Sequence, residues 1–410
     1  MAEFFKVITP AHAWELLQPY LGRVETELIG VNRALGRVLA QEIRAPLSLP
    51  TFPRSTMDGY TVRAADTFGA SEGLPAYLEV IGEVPMGKPA GLRVGKGQAA
   101  LVHTGGMIPD GADAVIMVEY VQRVDARTIE VLRPVAPGEN ILRVGDDIQR
   151  DEPLFSCGHL LRAQDVGALA ALGIVQPIVY RRPRVAILST GDELVPPHRE
   201  PSPGQIRDIN TYTLSALVEK CGAEPVSMGI IPDDLSALRE AAQRALAGAD
   251  GLVISAGSSV STRDMTAEVI GSLGKPGILV HGIAVRPGKP TIVGAVDGKP
   301  VFGLPGNPVS AMVVFDLVVR PAIFKIGGCA HPPEPPRVTA RLSHNIASTT
   351  GREDWVPVKL EIRSGELWAD PIFGESNLIS ILIRADGLAR VPLDRHGLVA
   401  GETVEVRVFE

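Results

Sequence analysis

The sequence predicts a multidomain protein of mixed α/β and β class, and three observations carry that prediction. The chain has 410 residues, roughly three domains at about 150 residues each. From Arg184 onward, buried-strand runs alternate with helical stretches, the pattern of a parallel sheet covered on both faces. Over the whole chain, 43 Gly and 34 Pro residues favour tight turns between short runs over long helices.

Residues 11–44 read as helical, with Trp14, Leu17, Leu21 and then Leu35, Val38, Leu39 at helical spacing. Pro46, Pro50 and Pro53 end that pattern. Short β-like runs follow at 77–81, 99–102, 114–118 and 128–132, a β-rich domain inserted into a longer element whose return, 162–172, reads as helical. The α/β region then gives strands at 185–189, 226–231, 251–255 and 278–285. Its helices fall at 210–220, from 233 to about 247, from about 264, and from 308 to about 326. The proline-rich stretch 332–336 marks a boundary, and β-like runs at 338–342, 355–362, 388–392 and 404–409 follow it. The expected divisions are N-terminal helices 1–45, β-rich insert 46–149, return segment 150–177, α/β domain 178–328 and C-terminal β domain 337–410.

Composition excludes several function classes. A 45% hydrophobic and 21% charged chain is ordinary for a globular protein and rules out disorder as the main theme. The net charge of −7 repels nucleic acid and anionic membranes, so an anionic ligand needs a local positive site. The longest apolar run, 166–175, falls short of the roughly 20 residues needed to span a bilayer. The first residues carry Glu3 and Lys6 and lead into no apolar core, so the expectation is a cytoplasmic protein without a signal peptide. Cys157, Cys221 and Cys329 form no disulfide framework and no CxxC site. Eight histidines without an HExxH pairing speak against a zinc hydrolase.

Chemistry concentrates at turns past strand ends. In 188–194 (LSTGDEL), the small-residue turn Ser189, Thr190, Gly191 exposes N–H groups that can cradle an anion. Asp192 and Glu193 would repel a bare phosphate, so they make sense with Mg²⁺ or as binders of polar groups; an ordinary βα turn with solvated acids is the alternative. In 304–310 (LPGNPVS), Pro305 and Gly306 lead to Asn307, a good N-cap, and Pro308, suited to the first helical position. Such a helix start attracts an oxyanion, or is simply well capped. Arg286 and Lys289 flank a rigid Pro-Gly turn. The segment 258–264 is rich in hydroxyls, Ser258 and Ser259 among them, and ends in Asp264, a helix cap or a metal ligand. Asp233 and Asp234 open a helix, and capping by one leaves the other free. The insert has Asp58 before a glycine in 55–60 (STMDGY), paired turns at 103–106 and 109–113, and acids beside Arg143 in 143–147. These are hairpin chemistry, or acids without a positive pocket that complete a site lying elsewhere.

These strings, in this order, resemble the MoeA/gephyrin-E family, the molybdopterin molybdenumtransferases of molybdenum-cofactor synthesis. The resemblance covers essentially the whole chain and is most specific at 55–60, 104–113, 189–194, 287–290 and 304–310. It implies a helical linker domain carrying a β-rich insert, a catalytic domain like the pterin adenylyltransferases, and a C-terminal β-barrel. It also implies a homodimer whose cleft between catalytic and C-terminal domains is closed by the partner's insert. The implied reaction joins molybdate to adenylylated molybdopterin and releases AMP, with Mg²⁺ or another divalent ion and a molybdopterin adenylyltransferase as upstream partner. Carried over by position, the functional acids fall on Asp58, Asp147, Glu193, Asp233 and Asp264, with Thr104 as a hydroxyl partner and Glu193 and Asp233 as metal ligands. Ser189, Thr190, Gly191, Asp192, Ser258, Ser259, Pro305, Gly306, Asn307 and Pro308 would hold the pterin nucleotide, and Arg286, Lys289, Arg352 and Ser376 the oxyanion. Two family glycines are replaced by Ala256 and Ser261, and a lysine by Arg286, which keeps the charge and adds a planar fork. A pterin-binding scaffold or sensor of the same fold, or a tungstate-specific paralogue, are the competing readings; the five retained acids speak against a pure binder.

Overall fold

The structure, a computed structural model, describes residues 7–257 and 260–409. Two compact units emerge. One runs to Gln41, resumes over Cys157–Gly167 and continues from Val175; the other comprises Glu42–Ser156 and Ala168–Ile174. Among the described residues no helix is long and apolar enough to cross a membrane.

The larger unit is built on a six-stranded sheet in the order Glu224–Ile231, Arg184–Thr190, Gly251–Ala256, Lys299–Pro305, Ile292–Val296, Pro276–His281. The first four are parallel. Strand residues alternate between two buried faces. Val185, Ile187, Val253, Phe302 and Leu304 enter one core with helix Asn210–Lys220, while Ala186, Leu188, Leu252, Ile254 and Val301 enter the other with Leu235–Gly248. Burial on both faces explains the near-continuous apolar runs in the sequence.

The sheet is mixed, not purely parallel. Ile292–Val296, absent from the expected strands, runs antiparallel beside Lys299–Pro305, and Pro276–His281 runs antiparallel beside it. The expected strand 278–285 is two pieces, because Gly282, at φ +100°, breaks it before Val285–Arg286. The last helix continues from Pro308 to Ile326 but includes a π-helical turn over Phe315–Val319. Pro321, which has no N–H to donate, follows that turn.

The helical reading of 11–44 is corrected. Only Pro10–Leu17, capped by Thr9 and extended by a 3₁₀ turn to Tyr20, is helical at length. Gly22, Gly30 and a left-handed Gly36 (φ +70°) interrupt the rest. Val38 and Leu39 instead form isolated bridges with Leu160 and Val179. Apolar spacing alone could not reveal those distant partners.

In the C-terminal region, Glu353–Arg363 closes a five-stranded barrel by pairing with Gly387–Val391 through its first half and Glu366–Pro371 through its second. Arg337–Leu342 and Thr403–Val408 complete the ring around Leu342, Val358, Ala389, Val391 and Val406. The strand Glu366–Pro371 was not among those expected.

In the smaller unit the sheet order is Ala114–Met117, Gly59–Val62, Gln98–Val102, Ala76–Glu83, Thr128–Val131, Val121–Arg123. Two of these, Ala76–Glu83 and Gln98–Val102, contain runs read from sequence, and Ala114–Met117 and Thr128–Val131 end one residue short of the runs expected at 114–118 and 128–132. The bend in 55–60 falls on residues 56–58, and Gly59 opens the strand that follows. A Cβ there would lie 2.0 Å from the Ile116 carbonyl oxygen, so close backbone approach explains the glycine.

Asp250, just before a central strand, accepts two hydrogen bonds of 2.6 Å from the Arg181 fork and one of 2.7 Å from the Arg184 N–H. Burial pushes its carboxyl up, but the Arg181 fork and the Arg184 N–H outweigh it and hold it below the ordinary value. A depressed folded-state pKa stabilises above the unfolded value, about 3.9, and that contribution fades as pH falls through the folded value. Asp250→Asn is therefore expected to cost about 2 kcal/mol at pH 7. The difference from wild type in denaturant titrations should shrink below pH 4.

Candidate active site

Parallel pairing aligns Thr190 with Ile231 and with Ala256, and Ala256 with Pro305. The loops after those four strands therefore leave one edge of the sheet. Ile292 pairs with both His281 and Gly303, so the 282–291 loop leaves the same edge. In open α/β sheets ligands bind there. The turns singled out in the sequence at 188–194, 286–290 and 304–310 thus leave one edge, joined there by the turn at Asp233.

At the first corner, Ser189 and Thr190 are buried and already engaged. Ser189 Oγ donates to Asp208 Oδ1 (3.2 Å) and lies 2.9 Å from Thr211 Oγ1. Thr190 Oγ1 donates to Asp233 Oδ1 at 2.7 Å. The hydroxyls thus fix the turn. Asp192 Oδ1 accepts the Asp233 N–H (3.2 Å), and the Glu193 carboxylate packs against Gly191. Asp234 caps helix Leu235–Gly248 through the Ala237 N–H (2.8 Å), so Asp233 is not the cap and its carboxylate instead takes the Thr190 hydroxyl. Asp192, Glu193 and Asp233 are hard oxygen donors at one corner. Among the described residues no three His, Cys, Asp or Glu side chains form a metal-holding group, so an ion there would draw its remaining ligands from water or substrate.

Asp264 is exposed and sits inside helix Val260–Ser272, so it is not the cap that sequence allowed. Ser258 and Ser259 lie outside the described residues.

The second corner opens into a cleft of about 780 Å³ between the α/β body and the barrel, lined by Arg286, Lys289, Asn307, Arg352, Asp354 and Ser376 among others. All four oxyanion candidates meet here. Val285–Arg286 pairs in parallel with Glu353–Asp354, so the cationic loop is stitched to the barrel. Gly288 allows the turn, since its φ is +119° and a Cβ would lie 2.3 Å from Val314 Cγ2. Arg352 Nε donates to Asp354 Oδ1 at 2.9 Å, and Arg286 Nη1 lies 3.6 Å from Asp354 Oδ2. Asn307 occupies the N-cap position before Pro308 without making a side-chain cap. Its amide instead donates to Ser376 Oγ at 2.8 Å, while the Ser376 carbonyl accepts the Val309 N–H. Pro305 and Asn307 line this cleft; Gly306 fits because a Cβ would approach the Ala256 carbonyl oxygen to 2.9 Å.

In the smaller unit, Asp58 Oδ1 accepts the Thr104 N–H (2.7 Å) and the Thr104 hydroxyl (3.0 Å). The Thr104 N–H holds the exposed Asp58 carboxyl below its ordinary value, helped by the hydroxyl and by His103. The two candidates are therefore one constellation. Asp147 is exposed, and its neighbour Asp146, not Asp147, closes the turn on the Arg143 N–H (2.7 Å).

Sequence reading missed Asp208, Asn210, Thr211 and Asp354. Asp208 Oδ1 accepts the Thr211 N–H at 3.1 Å, and an acid just ahead of a predicted helix start was the available signal. Asn210 Nδ2 bridges Ser255 Oγ (2.8 Å) and the Gly306 carbonyl (2.7 Å), tying helix Asn210–Lys220 to two strand ends.

Three family models match the chain in succession. They are the MoeA N-terminal region (domain I and II) over residues 8–173, a "Probable molybdopterin binding domain" over 186–325, and the MoeA C-terminal region (domain IV) over 339–409. A molybdopterin molybdenumtransferase of Nostoc sp. is 37% identical, covering 93% of this chain and 88% of that protein. One of Haemophilus influenzae is 34% identical, covering 94% of both. The crystal structure of a molybdopterin biosynthesis MoeA protein from Pyrococcus horikoshii superposes with a TM-score of 0.85 at 35% identity, covering 98% of this chain and 100% of that one.

Proposed function

The chain belongs to the MoeA family, and from that premise we propose that it is a molybdopterin molybdenumtransferase, inserting molybdate into adenylylated molybdopterin with release of AMP. The observation that carries this reading is the cleft lined by Arg286, Lys289, Arg352 and Ser376. In a chain of net charge −7, a dianion needs such a local concentration of cations. The three side chains would hold and orient the oxyanion, and Ser376 would add a hydroxyl. The backbone of the 190–193 and 305–308 turns would bind the pyrophosphate and pterin, with Ser258 and Ser259 assigned to the same ligand. Asp264 would orient the nucleotide from its helix.

Mg²⁺ suits Glu193 and Asp233, hard donors beside a phosphate-binding turn. When bound, it would neutralise pyrophosphate charge as AMP leaves. Within the same reading, residues 46–149 form an inserted domain on a linker and residues 178–328 a domain like the pterin adenylyltransferases. The protein works as a cytoplasmic homodimer in which Asp58, Thr104 and Asp147 of one subunit reach the other's site. Its substrate comes from a molybdopterin adenylyltransferase.

The test is AMP release from adenylylated molybdopterin by the purified protein, with and without molybdate, over a Mg²⁺ series. Release that depends on both supports the proposal. No release would leave a pterin-binding scaffold, and release indifferent to molybdate would mean hydrolysis of the adenylate without metal transfer. Glu193→Gln is expected to lower the rate about 100-fold and to flatten the Mg²⁺ dependence. An unchanged titration would return Glu193 to a turn role.

A further inference from the structure

Asp354 lies at the first residues of the barrel strand Glu353–Arg363, and its side chain is only 3% exposed. One carboxylate oxygen accepts from Arg352 Nε at 2.9 Å, and the other lies 3.6 Å from Arg286 Nη1. Its backbone pairs with Arg286 across the join between the α/β body and the barrel. The Arg286 side chain is 62% exposed, and an arginine that free would otherwise sample many rotamers. Asp354 therefore holds two guanidinium groups from two different domains on one fixed anchor. Each keeps further N–H donors for a ligand in the cleft.

We infer that Asp354 is a positioning residue for oxyanion binding: it aims Arg286 and Arg352 at one point of the cleft, at the expense of one unit of the cleft's positive charge. This rests on the proposed reading of the cleft as the oxyanion site. Positioning and simple electrostatics make opposite forecasts for this residue. Removing a carboxylate from beside three cations raises the local positive potential, so the field alone would tighten the hold on a dianion. Loss of a shared anchor loosens it, because the donors must then be ordered at the moment of binding.

The test is a calorimetric molybdate titration of wild type, Lys289→Ala, Asp354→Asn and Asp354→Glu. It is paired with KM values for molybdate and for adenylylated molybdopterin. Asp354→Asn is expected to weaken molybdate binding about tenfold, the loss of roughly one charge-assisted contact. Its KM for the adenylylated pterin should stay unchanged. Asp354→Glu keeps the charge and shifts the anchor by one methylene, so it should also weaken molybdate binding. Equal or tighter binding by Asp354→Asn overturns the inference. Should that variant fail to fold, unaltered binding by Asp354→Glu overturns it instead. If wild type binds no molybdate, or Lys289→Ala leaves binding unchanged, the oxyanion reading fails first and the inference with it. Weakening by Lys289→Ala alone isolates the failure to Asp354.

Discussion

Alanine at Lys289 is expected to raise the molybdate concentration for half-maximal AMP release by roughly 10- to 100-fold, while affinity for the adenylylated pterin changes much less. Among the described residues the Lys289 ammonium has no acidic partner, unlike Arg286 and Arg352, which share Asp354. Its carbonyl accepts from the Ile283 N–H (3.0 Å) and the Thr291 N–H (2.9 Å), so its backbone is held while the side chain stays available. A charge-assisted hydrogen bond contributes about 1.5–3 kcal/mol, and each 1.4 kcal/mol is about a factor of ten. A solvated turn would give no change. If Lys289→Ala abolishes pterin binding and spares the molybdate dependence, the loop serves the pterin phosphate and the oxyanion lies elsewhere.

The second large effect concerns Asp58 and Asp264. Each alanine variant alone should lose about 100-fold or more in activity. Mixed under conditions where subunits exchange, they should recover activity, because half of randomly formed dimers carry one intact composite site, about a quarter of all sites. The Asp58–Thr104 pair motivates this: a carboxylate held ionised by an N–H and a hydroxyl, in a unit whose described site residues include no cationic pocket. Exchange demonstrated without recovery would place both acids in one subunit's site, or Asp58 in none.

Much of the α/β architecture was legible because its signals are local. Helix Asn210–Lys220 coincides with the stretch read from sequence, and Arg184–Thr190 encloses the expected strand. The N-terminal segment was misread because Val38 and Leu39 owe their burial to Leu160 and Val179, more than 100 residues away. The short strand Ile292–Val296 was missed because it lies between a rigid Pro-Gly turn and a second turn at Asp297, with little length for periodicity to develop. In the cleft, Arg286 and Lys289 were visible as a cation pair in an acidic chain, whereas Arg352 and Ser376 entered only through family resemblance. Asp354 left no trace, since an acid two residues after an arginine on a strand resembles any solvated pair. Its burial and its second partner are properties of the closed barrel. Asn307 shows the same limit from the other side: a good N-cap residue gave its side chain to Ser376 once the barrel packed beside the helix start.

On the proposed reading, the cleft between the α/β body and the barrel receives the oxyanion. Tungstate shares molybdate's charge and shape and scatters X-rays anomalously, so crystals grown with it would locate that site directly. A single peak within hydrogen-bond reach of Lys289, Arg286 and Arg352 is the expected result. A peak at the 190–193 or 305–308 turns, with that cleft empty, would place the oxyanion outside it and overturn the assignment of Lys289, Arg286 and Arg352.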